Sequence, residues 1–248
     1  MNNISKLRVH IAPVGFEVDR IVLPAIEMRA DKIWLLIHNS PMEDKAKGYV
    51  ENIEKELKKA KIHFEIDRLD RLDLFMVLKS VKEIVEKEKD NDIYINVSSG
   101  SKIQAIACTM ACMMFNTNKN ITPYYAEPEH YPTPLKGAQQ STGLKRLVSL
   151  PSYEIHTPKL EHVKALKIIK EHNGKITKKE MAELAEKAEI ITVGAKDENF
   201  EQARFASLDK NIIQPLAEQW HFVEIEKIGR NRWIKMTEDG KNAADFLI

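Results

Sequence analysis

Ser98-Ser99-Gly100-Ser101-Lys102 separates an apolar run from an apolar helical pattern, in a chain that has only nine glycines. Three hydroxyls, a glycine and a lysine at a helix start suit two tasks. They can cap the helix, with Ser101 accepting from first-turn amides and Gly100 turning the chain. They can also cradle an anion, because free amides, the helix dipole, hydroxyls and the Lys102 ammonium all favour phosphate. The segment is not a Walker A loop, which needs G-x-x-x-x-G-K-[ST]. The earlier turn Ala12-Pro13-Val14-Gly15-Phe16 holds one glycine where a dinucleotide fingerprint needs three. No G-x-S-x-G elbow surrounds Ser98 or Ser99. The eight histidines show no metal-ligand spacing, and no metal or cofactor is expected. His10 and His38 read as core or rim positions of strands. Asp67, Asp70 and Asp73 read as capping groups near a helix start. Cys108 and Cys112, one helical turn apart in an apolar run, read as a buried reduced pair, since a disulfide would strain the helix.

The elements that must hold these residues alternate along the first 150 positions. Strand patterns occur at LRVHIAP, KIWLLIH, IHFEIDRL, DIYINV and NITPYYAEPE, with LKRLVSLP as a sixth, edge strand. Between them lie helical patterns at 17–30, where Pro24 should kink the helix or mark its start, and at 43–61, about 73–88 and 101–116. The group Met110, Met113, Met114 and Phe115 reads as packing against the sheet or as a dimer face. Such alternation implies βαβ units, a mainly parallel Rossmann-like sheet and helices on both faces. With strand order 3-2-1-4-5, the 13–16 and 98–102 turns share one rim at the switch point, each leading into a helix N-terminus.

Residues 151–160, with Pro151, Ser152 and Pro158, read as a linker between domains at 1–150 and 161–248. The second domain begins with a helix stopped by Asn173-Gly174, then a helix opened by the capping box Thr177-x-x-Glu180. A third helix ends near SLDKNIIQPLAEQW, after a long connection at 189–204 and interrupted at Pro215. Two alternating strands joined at Gly229-Arg230-Asn231 and a short closing helix complete an α+β winged helix-turn-helix. As a DNA-binding module it would offer Lys210, Asn211 and Gln214 to a groove and Lys227, Arg230, Asn231 and Arg232 to phosphates.

Composition bounds the rest. The chain has 248 residues, 43% hydrophobic and 30% charged, which are globular values. Net charge is +1, and residues 158–248 hold 16 residues of each sign, so nucleic acid would have to meet a local basic patch. No signal peptide or membrane span is apparent, and a soluble cytoplasmic protein with no membrane partner is the expectation.

APVGF after the first strand, NVSSGSK after the fourth and a following winged helix together resemble a CARF domain, the CRISPR-associated Rossmann fold, in the layout of archaeal CARF-type transcription regulators. The resemblance spans essentially the whole chain. It implies a homodimer in which two such domains form a pocket for a cyclic oligoadenylate, cyclic tetra-adenylate being favoured, with double-stranded DNA as the other partner in CRISPR-related antiviral defence. It also implies that Pro13, Val14, Gly15 and Phe16 and then Asn96, Ser98, Ser99, Gly100, Ser101 and Lys102 bind that ligand, with Ser99 standing where the motif often has glycine. Two further readings stay open. Some similar domains cleave their ligand without a metal, a ring nuclease activity that would fall to Ser98, Ser99 and Lys102. The winged helix could instead dock a protein.

Overall fold

The computed structural model describes residues 5–116, 120–131, 139–151, 153, 155–194 and 199–248. Ser152 of the expected linker lies outside them. The chain divides into two units, Met1–His156 and Thr157–Ile248.

In the first unit, β1 (Arg8–Pro13), β2 (Lys32–His38), β3 (His63–Leu69), β4 (Asp92–Asn96) and β5 (Ile121–Glu127) are parallel neighbours, and β6 (Arg146–Ser149) pairs antiparallel at the edge. The order is β3-β2-β1-β4-β5-β6, so the switch point lies between β1 and β4. The strands read as continuous apolar runs because both faces are covered. Helices α1 (Asp19–Glu27) and α2 (Lys47–Lys59) bury Ile21, Val22, Ile53 and Leu57 against Ala12, Ile33 and Leu35. Helices α3 (Leu74–Lys87) and α4 (Lys102–Met114) pack on each other across the opposite face, as right-handed crossovers require once strand order reverses. Asp73 caps α3, accepting from the Phe75 and Met76 amides, Asp70 accepts from Leu72, and Asp67 accepts from the Ser80 hydroxyl. Cys108 and Cys112 are buried free thiols.

Pro24 sits inside α1 instead of starting it. It has no N–H, so the Arg20 carbonyl loses its helical donor. The Asn96 amide, at the end of β4, donates to that carbonyl at 2.7 Å, and the Asn96 side-chain oxygen accepts from Ser98 N at 2.8 Å. Because β4 ends opposite Tyr124, the next β4-facing peptide of β5, at Ala126, has no partner on β4. Ser98 Oγ accepts from Ala126 N, and Arg20 Nε donates to Ala126 O at 3.0 Å. Asn96, Ser98, Ala126 and Arg20 thus close a ring of hydrogen bonds joining α1, β5 and the turn after β4. Beneath it, fully buried His10 meets the Tyr124 hydroxyl at 3.0 Å and the Tyr94 ring at 5.2 Å.

The second unit runs α5 (Leu160–Glu171), β7 (Lys175–Thr177), α6 (Lys178–Lys187), α7 (Phe200–Leu208), β8 (Val223–Ile228), β9 (Asn231–Met236) and α8 (Glu238–Leu247). The short β7 completes a β7-β9-β8 sheet; three residues carry too little pattern to be read as a strand beforehand. Leu166, Ile169, Ile176, Met181, Leu208, Ile212, Leu216 and Ile234 form its core. Thr177 caps α6 by accepting from Glu180 N at 3.2 Å. The third helix starts at Phe200, inside the expected connection, and continues past Leu208 through two π-helical turns, Asp209–Ile213 and Pro215–Gln219. Pro215 therefore does not end it. The wider turn lets Trp220 N reach Pro215 O at 3.1 Å, while His162 Nε2 meets the Asn211 carbonyl that Pro215 leaves without a donor, at 3.0 Å. The β8–β9 turn is Gly229-Arg230, with Gly229 at φ +62° and Asn231 already in the strand.

Two stability predictions follow from the first unit. Asn96→Ala leaves the buried Arg20 carbonyl and the Ser98 amide without their partner, and should lower unfolding free energy by about 1–3 kcal/mol in urea titrations; a change within error would mean the ring is not supporting the turn. Burial holds the His10 pKa down at about 4 from 6.5, with the Arg8 charge adding to the effect. The unfolded chain takes up this proton first, so stability is full above pH 6.5 and falls towards pH 4, by about 3 kcal/mol in all. Replacing His10 by Phe should flatten that slope between pH 7 and 4.5, and an unchanged slope would assign the acid sensitivity elsewhere.

Candidate functional site

The two turns singled out in the sequence meet at the β1–β4 rim. A Cβ on Gly15 would lie 2.9 Å from Gly100 N, and one on Gly100, at φ +83°, would lie 2.6 Å from the Pro13 side chain and 2.8 Å from Gln104 Oε1. Both glycines are required by the contact of one turn with the other. Val14 is buried and donates its amide to Leu36 O at 3.0 Å. Phe16 packs edge-on against Tyr49, ring centroids 5.5 Å apart.

Most of the hydroxyls in the second turn are occupied. Ser101 caps α4 in a full capping box: its Oγ accepts from Gln104 N at 3.1 Å, and Gln104 Oε1 accepts from Ser101 N at 2.9 Å. Ser101 Oγ also donates to Arg71 O at 3.1 Å. Ser98 belongs to the ring described above. Ser99 Oγ and Gln104 Nε2 are buried and have no partner among the described residues. Lys102 is exposed at the first position of α4. The cap and the cradle are therefore not rival accounts of one turn. Ser98, Gly100 and Ser101 set its shape, and the Lys102 ammonium and the α4 N-terminus give it a positive end.

The start of α1 differs from the expectation. Its first amides, Val18 N and Asp19 N, donate to Gln139 Oε1 at 2.9 and 3.2 Å. Glu17 is buried, accepting from Ser141 N and Ser141 Oγ at 3.1 and 2.8 Å, and Asp19 accepts from Gly143 N at 2.8 Å. Burial raises the Glu17 pKa, opposed by its Ser141 hydrogen bonds and by Arg20, whose Nη1 lies 3.6 Å away. With a side-chain carbonyl over its amides and two carboxyl groups beside them, this helix end does not favour an anion. Among the described residues, the positive helix end of the rim is at α4 and not at α1. Sequence reading missed Arg20, Gln139 and Ser141; the one available signal was Pro24, since a proline inside a helix demands an outside donor for the carbonyl four residues earlier.

In the second unit Lys210, Asn211 and Gln214 are exposed on the third helix, as expected of a recognition face. Two are engaged with neighbours: Asn211 Nδ2 donates to Ser207 Oγ at 3.2 Å and Gln214 Nε2 to Glu218 Oε2 at 2.9 Å. Lys227, Arg230, Asn231 and Arg232 are exposed on the β8–β9 wing. Between that wing and the start of α6 lies a cavity of about 430 Å³, lined by Lys178, Lys179, Phe205, Arg230 and Arg232. No group of three or more potential metal ligands occurs among the described residues, and no helix among them is long and apolar enough to cross a membrane.

Comparison with known proteins places this geometry. Residues 8–131 match the HFX_2341_N-like N-terminal family, and residues 161–248 match the DUF6293 C-terminal winged helix domain. The uncharacterized protein MJ1513 of Methanocaldococcus jannaschii is 38% identical over 136 residues, which are 52% of this chain and 41% of that protein. Among solved structures, Can2 from Sulfobacillus thermosulfidooxidans in complex with cyclic tetra-adenylate aligns with 96% of this chain and 63% of its own, at 13% identity and a TM-score of 0.42. Enterococcus italicus Csm6 bound to cyclic hexa-2′-fluoro-hexa-dAMP aligns with 88% of this chain and 56% of its own, at 11% identity and a TM-score of 0.40. This chain thus spans less than two thirds of the length of each of these relatives, and such low scores leave the functional reading to its own residues. The layout is the expected one, a Rossmann-like sheet followed by a winged helix. With residues 8–131, half of its length, matched by the first model and residues 161–248 by the second, the chain belongs to the HFX_2341_N-like family and carries a winged helix domain of the DUF6293 type.

Proposed function

We propose that this protein is a ligand-responsive transcription regulator. Its Rossmann-like domain binds a cyclic oligoadenylate, cyclic tetra-adenylate in the first instance, and the bound ring alters how the winged helices engage double-stranded DNA. The observation that carries the reading is the rim itself: a rigid Gly15–Gly100 contact holds the second turn so that exposed Lys102 and the α4 N-terminus form its positive pole, in a chain that continues into a winged helix. One copy offers one such pole. A ring of several phosphates is matched by two, which a homodimer supplies. Leu72, Met76 and Ile106 are large apolar side chains left exposed at the rim end of α3 and α4, which is the kind of face a second copy would cover. Their chemistry supports dimerisation through these helices.

The same geometry bears on ring cleavage. Ser98 Oγ already accepts from Ala126 N and is set in the hydrogen-bond ring, and Ser99 Oγ is buried. Ser98 is engaged, and Ser99, although without a partner among the described residues, is buried away from a ligand on the rim, so binding without turnover is the proposed behaviour. Localisation in the cytoplasm accords with CRISPR-related defence and is part of the same proposal.

Calorimetric titration with cyclic tetra-adenylate and cyclic hexa-adenylate tests the reading, with the ligand recovered and checked for cleavage afterwards. One intact ring per dimer is expected; linear product would make the protein a ring nuclease, and no heat with either ring would remove the sensor. Lys102→Ala should weaken ring binding by about tenfold or more, since the dimer loses one charge-assisted contact from each protomer, without altering thermal unfolding. For DNA, the double variant Arg230→Ala, Arg232→Ala should reduce affinity for every duplex and lower the slope of log K against log salt by about 2 for each winged helix bound. An unaltered slope would take the wing out of the interface.

A further inference from the structure

The surroundings of Arg230 and Arg232 bear on where a phosphate backbone would be held. They line the 430 Å³ cavity together with Lys178, Lys179, Thr177 and Phe205, which come from the start of α6 and from α7. Four cationic side chains from two separate elements converge there, and only Lys178 is neutralised, by Asp209. Among the described residues no carboxylate pairs with Lys179, Arg230 or Arg232. Phe205 gives the cavity an aromatic wall, with Lys178 Nζ 5.6 Å from its ring centre.

On the other side of Lys178 and Arg232 lies a second cavity, of about 230 Å³, with opposite character. Asp209 and Glu218 line it, beside Ile213, Ile225 and Ile234. Gln214, a residue of the expected recognition face, opens onto this side and is bonded to Glu218. Lys178 and Arg232 border this cavity too, so a phosphate there would meet two carboxylates that offset those two cations, over an apolar floor. The charges therefore separate the two sides of the Lys178–Arg232 divide.

We infer that the cleft between α6 and the wing is a phosphodiester-binding site, with Lys179 as a backbone contact alongside Arg230 and Arg232, and that the Asp209–Glu218 side faces away from the backbone. This rests on the reading of the second unit as a DNA-binding domain. The consequence is a shift of the interface: the backbone is gripped near the start of α6, and Gln214 lies off the path of the phosphates. Phe205 suits the sugar carbons beside a held phosphate.

The test is fluorescence anisotropy of the full chain on a labelled duplex of arbitrary sequence, over about 50–200 mM salt. Lys187, exposed at the far end of α6, gives a control of equal charge change. Lys179→Ala should lower the salt slope by about 0.9, so that the affinity lost between the two salt limits shrinks about threefold, whereas Lys187→Ala should leave the slope as it is. If the unmodified protein binds and Lys179→Ala keeps its slope, or Lys187→Ala changes it as much, the cleft is not the site although the domain binds DNA. If the unmodified protein shows no binding at the lowest salt, the DNA-binding reading fails and this inference with it.

Discussion

A missing N–H organises the rim of the first unit. Pro24 removes one donor from α1, and the carbonyl it frees, that of Arg20, is buried where solvent cannot satisfy it. Asn96 supplies the donor, and in doing so fixes its own carboxamide so that the other end holds the Ser98 amide. Ser98 and Arg20 then close on the Ala126 peptide, which faces the place where β4 has already ended. Each bond in the ring contributes about 1 kcal/mol net, but losing any one strands a buried partner, so the four act together. The turn after β4 inherits its shape from this ring.

That shape decides which groups remain for a ligand. A serine that caps a helix or accepts from a strand peptide has its lone pairs directed at the backbone. Ser101 and Ser98 are in this state, and the side chain left pointing outwards is Lys102. Across the rim, the start of α1 is closed by Gln139 and carries the acidic Glu17 and Asp19. The rim is electrostatically one-sided as a result.

The second unit solves the same backbone problem by the same means. Pro215 frees the Asn211 carbonyl in the third helix, and His162 from α5 meets it. The helix absorbs the proline by widening into π turns, which turns Ile212, Ile213 and Leu216 into the core while leaving Lys210 and Gln214 outside. In each unit a proline within a helix was readable in the sequence, and so was the need for a distant donor. Which residue supplied it was not, because Asn96 lies 76 residues from Arg20 and His162 lies 49 residues from Asn211.

The sequence by itself determined the strand and helix alternation and the winged helix pattern, because apolar periodicity, turn residues and caps act over a few positions; the 3-2-1-4-5 order and the Ser101 cap were open until the structure showed them. That the 13–16 and 98–102 turns share a rim followed from the usual doubly wound order, and the β1–β4 pairing bears it out. Only the tertiary structure decided that Gly15 and Gly100 are there for each other, that Gln139 closes α1, and that Lys179 joins the wing arginines around one cavity. Those are contacts between segments far apart in the chain, and no local pattern encodes which carbonyl, carboxylate or guanidinium will arrive from the other side.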